Sequence, residues 1–173
     1  GCGQPTLNWG WNNTFNYKNF DFSFFVVGFH GFDIYNATHQ MGYNLIKSQQ
    51  MAGVTPMREL LNRWTPTNTN TDIPGFVKGG TENKDFFSTR FVENGSFIKM
   101  KSITLGYTLP EATCRSLGIN NLRVYASVQN PFHITKYSGL DPEATMGSPL
   151  VQGVDWGAYP NSRNYLIGLN FSF

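Results

Sequence analysis

The stretch RNYLIGLNFSF, Arg163 to Phe173, decides how the rest of the chain is read. Tyr165, Ile167, Leu169, Phe171 and Phe173 fall on every second position, with Leu166, Gly168, Asn170 and Ser172 between them. A period of two is a strand, whose successive side chains point to opposite faces. One face is apolar and aromatic; the other is mostly small or polar. The stretch stays apolar to its last residue, where soluble domains ordinarily fray. Such a face needs cover. A second sheet supplies it in a soluble sandwich, and lipid supplies it on the outside of a transmembrane barrel.

The same alternation recurs upstream. Leu7, Trp9, Trp11, Phe15 and Tyr17 share one face of residues 6–17, opposite Asn8, Gly10, Asn12, Thr14 and Asn16. After the polar break Lys18-Asn19, residues 20–31 place Phe20, Phe22, Phe24 and Val26 together, so a hairpin is predicted; the phase is lost at Phe25-Val26-Val27. In residues 96–109, Ile98 and Met100 lie on one parity and Ile103, Leu105, Tyr107 and Leu109 on the other. A bulge near Lys101-Ser102 returns both sets to one face. Residues 122–135 alternate Leu122, Val124, Ala126, Val128, Phe132 and Ile134 against Arg123, Tyr125, Ser127 and Gln129.

The predicted strands are therefore about 6–17, 20–31, 96–109, 122–135 and 163–173. Their links run short (18–19), long (36–93), medium (110–121) and long (136–162). In an up-and-down meander both long links fall at one end. Transmembrane barrels have this asymmetry, with short periplasmic turns and long extracellular loops; a sandwich has no reason to sort its loops by parity. Within the first long loop, Thr55-Pro56 followed by Met57, Leu60, Leu61 and Trp64 predicts one short helix over about 56–62.

Composition agrees with an outer surface that is not all in water. Of the 173 residues 16% are aromatic, led by 15 Phe, and only 14% are charged, against roughly a quarter in ordinary globular domains. Thirteen basic and 11 acidic residues leave a net charge of +2, with no basic run to meet nucleic acid. No apolar run reaches the length of about 20 residues that a membrane helix needs, and no signal peptide precedes Gly1, so a mature, truncated or partial chain is expected. Cys2 and Cys114 match neither a zinc pattern nor a disulfide framework.

Several of these stretches are similar to one family. SFIKMKSITLGYTLP, Ser96 to Pro110, resembles a strand of the SusC/RagA-type TonB-dependent outer-membrane transporters of Bacteroidota. Leu122 to Phe132, Thr135 to Gly139, Asp141-Pro-Glu143 and Gly153 to Pro160 resemble the strand and loop that follow. Gly10 to Thr14, Asp33 to Asn36, Arg63 to Pro66 and Asn70 to Pro74 also fit. The resemblance implies an all-β, antiparallel transmembrane β-barrel segment of about five C-terminal strands, with the plug domain absent from this stretch. It implies nutrient uptake by transport, of oligosaccharides or peptides. The implied partners are outer-membrane lipid, the remainder of the barrel and plug, a SusD-like lipoprotein, and the TonB complex through an N-terminal part not present here. The implied localisation is the bacterial outer membrane. The other reading of the residues is a soluble β-sandwich carbohydrate-binding module.

No catalytic motif is present, so no enzyme is expected, and neither is a cofactor. His30, His39 and His133 are scattered. Asp141, Glu143 and Asp155 share one loop, where a calcium site is one reading and a solvated acidic loop the plainer one. In a barrel, Arg123, Tyr125 and Gln129 face the lumen. Trp64, Trp156 and Tyr159 sit in the long loops as candidate contacts to substrate or lipoprotein lid. By resemblance, Tyr165, Gly168, Leu169, Phe171 and Phe173 form the signal read by the barrel-assembly machinery.

Overall fold

The computed structural model describes residues 1–43, 57–75, 88–116, 118–146 and 152–172. Strands β1 (Leu7–Tyr17) and β2 (Phe20–His30) form a hairpin in full register, from Tyr17 opposite Phe20 to Leu7 opposite His30. Its turn is tight because Lys18 takes the left-handed conformation, φ 53°. The chain then enters β3 (Asp33–Asn36), the short helix Ala37–Tyr43, the 3₁₀ turns Arg58–Asn62 and Thr89–Phe91, and β4 (Val92–Asn94). Next come β5 (Phe97–Thr108), the helix Glu111–Ser116, β6 (Asn121–Gln129), β7 (His133–Thr135), a 3₁₀ turn Pro142–Met146, β8 (Val154–Asp155) and β9 (Asn164–Ser172).

The main sheet runs β1-β2-β5-β6-β9, antiparallel throughout, with β7 paired to β5. Its register sorts the side chains. Across one row Phe15, Phe22, Leu105, Ala126 and Ile167 are neighbours, and across the next Tyr17, Phe20, Tyr107, Val124 and Leu169. This face is bare: Leu105 is 51% exposed, Ile167 82% and Leu169 60%. Among the described residues no second sheet covers it, as the sandwich reading would require.

β5 carries the bulge. Phe25 pairs with Ser102 and Val26 with Met100, leaving Lys101 unpaired on that side. The bulge settles the lost phase in β2: Val26, Gly28 and His30 continue the apolar face, and Phe25, Val27 and Phe29 point to the other. The predicted strand 122–135 is broken opposite the same place. Asn130 is left-handed, φ 50°, and Pro131 has no N–H to offer the ladder. The chain resumes as β7 beside Phe97, Ile98 and Lys99.

The buried core sits at the long-loop end, on the polar side of the sheet. Phe97 and Phe29 stack at 5.1 Å between centroids, and Phe32, Ile34 and Tyr137 close around them. There a small sheet, β4-β3-β8, joins distant parts of both long loops, with β3 and β8 parallel. The predicted helix over 56–62 is a 3₁₀ turn, Arg58–Asn62, with no side-chain cap at Met57; the Thr55-Pro56 start lies outside the described residues. The helix Ala37–Tyr43 was not predicted, though Asn36 Oδ1 accepts from His39 N–H at 2.8 Å as an N-cap does.

Candidate functional site

The polar face of the sheet is a wall of hydroxyls, amides and paired charges. Asn8, Asn12, Thr14 and Asn16 line it on β1, Ser23 on β2, and Asn164, Asn170 and Ser172 on β9. Thr104 and Ser127 hydrogen-bond across β5 and β6 at 2.8 Å. Arg123, Tyr125 and Gln129 lie together on this face of β6. The Arg123 guanidinium pairs with Asp21 and lies 5.0 Å from the Tyr125 ring centroid. Tyr125 lies across Gly168, where a Cβ would overlap its ring. Gln129 Oε1 accepts from Asn164 Nδ2 at 3.4 Å.

The second long loop does not stay outside the sheet. Its Asp141–Glu143 turn folds onto the polar face of β5. Lys99, only 2% exposed, donates to Asp141 and Glu143 at 2.7 Å each, and Lys101 donates to Glu143. Asn161 closes the cluster, its N–H to Asp141 at 3.1 Å and its Nδ2 to Glu143 at 2.8 Å. Burial pushes both carboxyls up most strongly of any one cause, but the hydrogen bonds and charges of the lysines, joined at Asp141 by the N–H groups of Asn161 and Glu143, together outweigh it. Both acids are held below their ordinary values.

This overturns the solvated acidic loop. Asp155 is used elsewhere: its carboxylate accepts from Tyr137 Oη at 2.5 Å and from the N–H groups of Gly157 and Ala158 at 2.8 and 3.1 Å. Burial, with that bond to Asp155, pushes the Tyr137 phenol far up. Of the three acids of the calcium reading, Asp141 and Glu143 thus share Lys99 and Asn161, and Asp155 is turned to other partners. Sequence reasoning missed the cluster. Its one visible signal was the pair Lys99 and Lys101 amid an otherwise apolar run, with Asp141-Pro-Glu143 as their unplaced complement.

A second polar knot ties the two loops. Glu93 accepts from Asn36 Nδ2 at 3.0 Å, and from Ser138 Oγ and N–H at 2.7 and 2.8 Å. A cleft of about 320 Å³ opens beside it, lined by Asn36, His39, Glu59, Leu140 and Asp155 among others. Another, about 550 Å³, lies between the sheet wall (Phe29, Lys101) and the loop (Tyr159, Asn161). Of the predicted aromatic contacts, Tyr159 is on the rim of this second cleft and 89% exposed. Trp64 and Trp156, 47% and 62% exposed, stand apart from it.

Cys2 lies at the long-loop end, where its carbonyl accepts from Asp33 N–H, and buried Cys114 lies at the other end. Tyr165, Leu169 and Phe171 are on the apolar face and Gly168 on the polar one; Phe173 is outside the described residues.

An antiparallel meander with one bare apolar face, one hydrophilic face and its long connections at one end is a segment of a transmembrane β-barrel. No family model matches the chain. The TonB-dependent receptor P3 of Formosa agariphila is 36% identical over 98% of this chain. The TonB-dependent receptor SusC of Bacteroides thetaiotaomicron is 33% identical over 95%. The chain spans 16% and 15% of the lengths of those two relatives. Among solved structures, the RagAB peptide importer in its closed-closed state superposes with a TM-score of 0.81. The match has 28% identity and covers 99% of this chain and 18% of that one. The open-open state gives 0.78. The chain belongs to the TonB-dependent receptors of the SusC/RagA type, which are outer-membrane proteins of Bacteroidota. These relatives are receptors and importers, not enzymes.

Proposed function

We propose that the chain is a C-terminal part of the barrel of an outer-membrane transporter that takes up nutrients with energy from the TonB complex. The observation that carries this is the sorted sheet: a continuous apolar face that no described residue outside the sheet covers with a second layer, backed by a face of amides, hydroxyls and neutralised charges. Lipid suits the first and a hydrated lumen the second. Five strands cannot close a barrel, and free strand edges in lipid are costly. The function therefore belongs to the full receptor, with its plug and remaining strands.

In this reading Arg123, Tyr125 and Gln129 line the lumen, and a SusD-like lipoprotein covers the long-loop end. The cargo is an oligosaccharide or a peptide. Support comes from the kinship with SusC and from the description of RagAB as a peptide importer. Trp64, Trp156 and Tyr159 are exposed at or near the covered end and available to cargo or lipoprotein. Tyr165, Gly168, Leu169, Phe171 and Phe173 serve as the barrel-assembly signal, so Phe173→Ser lowers insertion more than it lowers transport by inserted copies.

The test is uptake of labelled oligosaccharide and oligopeptide pools by cells with and without the full-length receptor. The proposal expects uptake that needs the receptor and stops when the proton-motive force is collapsed. A receptor that reaches the outer membrane but changes uptake of neither pool overturns it.

A further inference from the structure

The loop after β7 is fastened to the sheet in an unusual way. Lys99 is on the polar face, near the long-loop end of β5, and is almost wholly buried. It neither reaches water nor pairs within the sheet; both its partners come from the loop, more than forty residues on. Asn161 then ties the returning arm of the loop to the same two carboxylates. Two cations thus meet two anions, so the cluster is neutral as a whole.

A buried pair of this kind adds little to overall stability, but removing one partner leaves a stranded charge that must find water. Here the way for Asp141 and Glu143 to find water is for the turn to lift off the wall. The turn also sets the cleft of about 550 Å³, whose loop side is formed by Tyr159 and Asn161.

We propose that Lys99 is a positioning residue: with Lys101 it fastens the Asp141–Glu143 turn to the lumen wall. Tyr159 and Asn161 are thereby fixed as part of the inner wall, not carried on a swinging extracellular lid. The structural half stands on the clasp alone; the consequence for solute rests on the transport reading above.

Hydrogen exchange of the full-length receptor in detergent tests the first half. Lys99→Met raises exchange over residues 141–146 and 157–162 by about tenfold or more, and leaves 102–108 and 164–172 unchanged. Lys99→Arg, which keeps the cation, stays near wild type. Unchanged loop exchange in Lys99→Met overturns the clasp. Should that variant fail to insert, Glu143→Gln reads the same clasp from its exposed side, with a smaller rise expected and no rise contradicting it.

Uptake of whichever labelled oligosaccharide or oligopeptide pool the wild type imports tests the second half. Lys99→Met raises the half-saturating concentration severalfold and keeps the maximal rate. A loosened loop with unchanged half-saturation overturns the positioning role. Absence of any wild-type uptake overturns the transport reading and leaves the exchange result standing.

Discussion

Arg123 on β6 reaches past β5 to Asp21 on β2, its Nε 2.9 Å from Oδ1 and its Nη2 2.5 Å from Oδ2, and the pair lies over Gly106. A strand is skipped because Gly106 has no side chain to stand between them. A Cβ there would overlap the Asp21 carboxylate and the Arg123 guanidinium together. Gly106→Ala therefore separates the pair and should lower the unfolding free energy of the refolded receptor by about 1–3 kcal/mol. In that background Asp21→Asn should cost less than it does in wild type.

The pair itself is partly shielded, with side chains 28% and 25% exposed. A double-mutant cycle of Asp21→Asn and Arg123→Gln, read by denaturant unfolding, should give a coupling of about 1 kcal/mol. A coupling near zero would mean that the wall's charges are held by the fold and add nothing to it.

Tyr125 and Gly168 make a second seat of the same kind. Gly168→Val drives its side chain into the Tyr125 ring and should destabilise by about 1–3 kcal/mol. Tyr125→Ala vacates the space, so the double variant should recover part of the loss. Additive losses would show that the two residues do not share that space.

The loop clasp sets a pH dependence. Asp141 and Glu143 titrate below their ordinary values of 3.8 and 4.5. Groups with depressed values in the folded state contribute stability above their unfolded values and lose it as pH falls through the folded ones. Loop attachment should be flat from neutral pH to about 5 and weaken progressively below about 4.5. Limited proteolysis within 136–163 should accelerate over that window, and Asp141→Asn should flatten the profile.

The main sheet was legible because its two solvents impose a period of two on the residues themselves. Even the bulge showed, as a change of parity between Met100 and Ile103. The phase of Phe25 to Phe29 did not, because Val27 and Phe29 are apolar on the polar face. Phe29 packs against the Phe97 cluster and Val27 is buried opposite Lys99, and alternation cannot distinguish a core from a lipid face. The break at Asn130-Pro131 was hidden inside good alternation, since Phe132 and Ile134 keep their parity across it. The β4-β3-β8 sheet and the Lys99 clasp join residues far apart in sequence, so local pattern says nothing of them. The acids of the loop were visible and their partners were not: Asp141 looks solvated until Lys99 is placed beneath it.

The central claim is that the apolar face meets lipid and the polar face meets water. Single cysteines in the full-length receptor test it directly: Leu105, Val124 and Ile167 on one face, Thr104, Ser127 and Gln129 on the other. Fluorophores on the first set should be quenched by brominated lipid, and the second set should react with a membrane-impermeant maleimide. The reverse pattern, or protection of the first set from both lipid and water, would contradict the account.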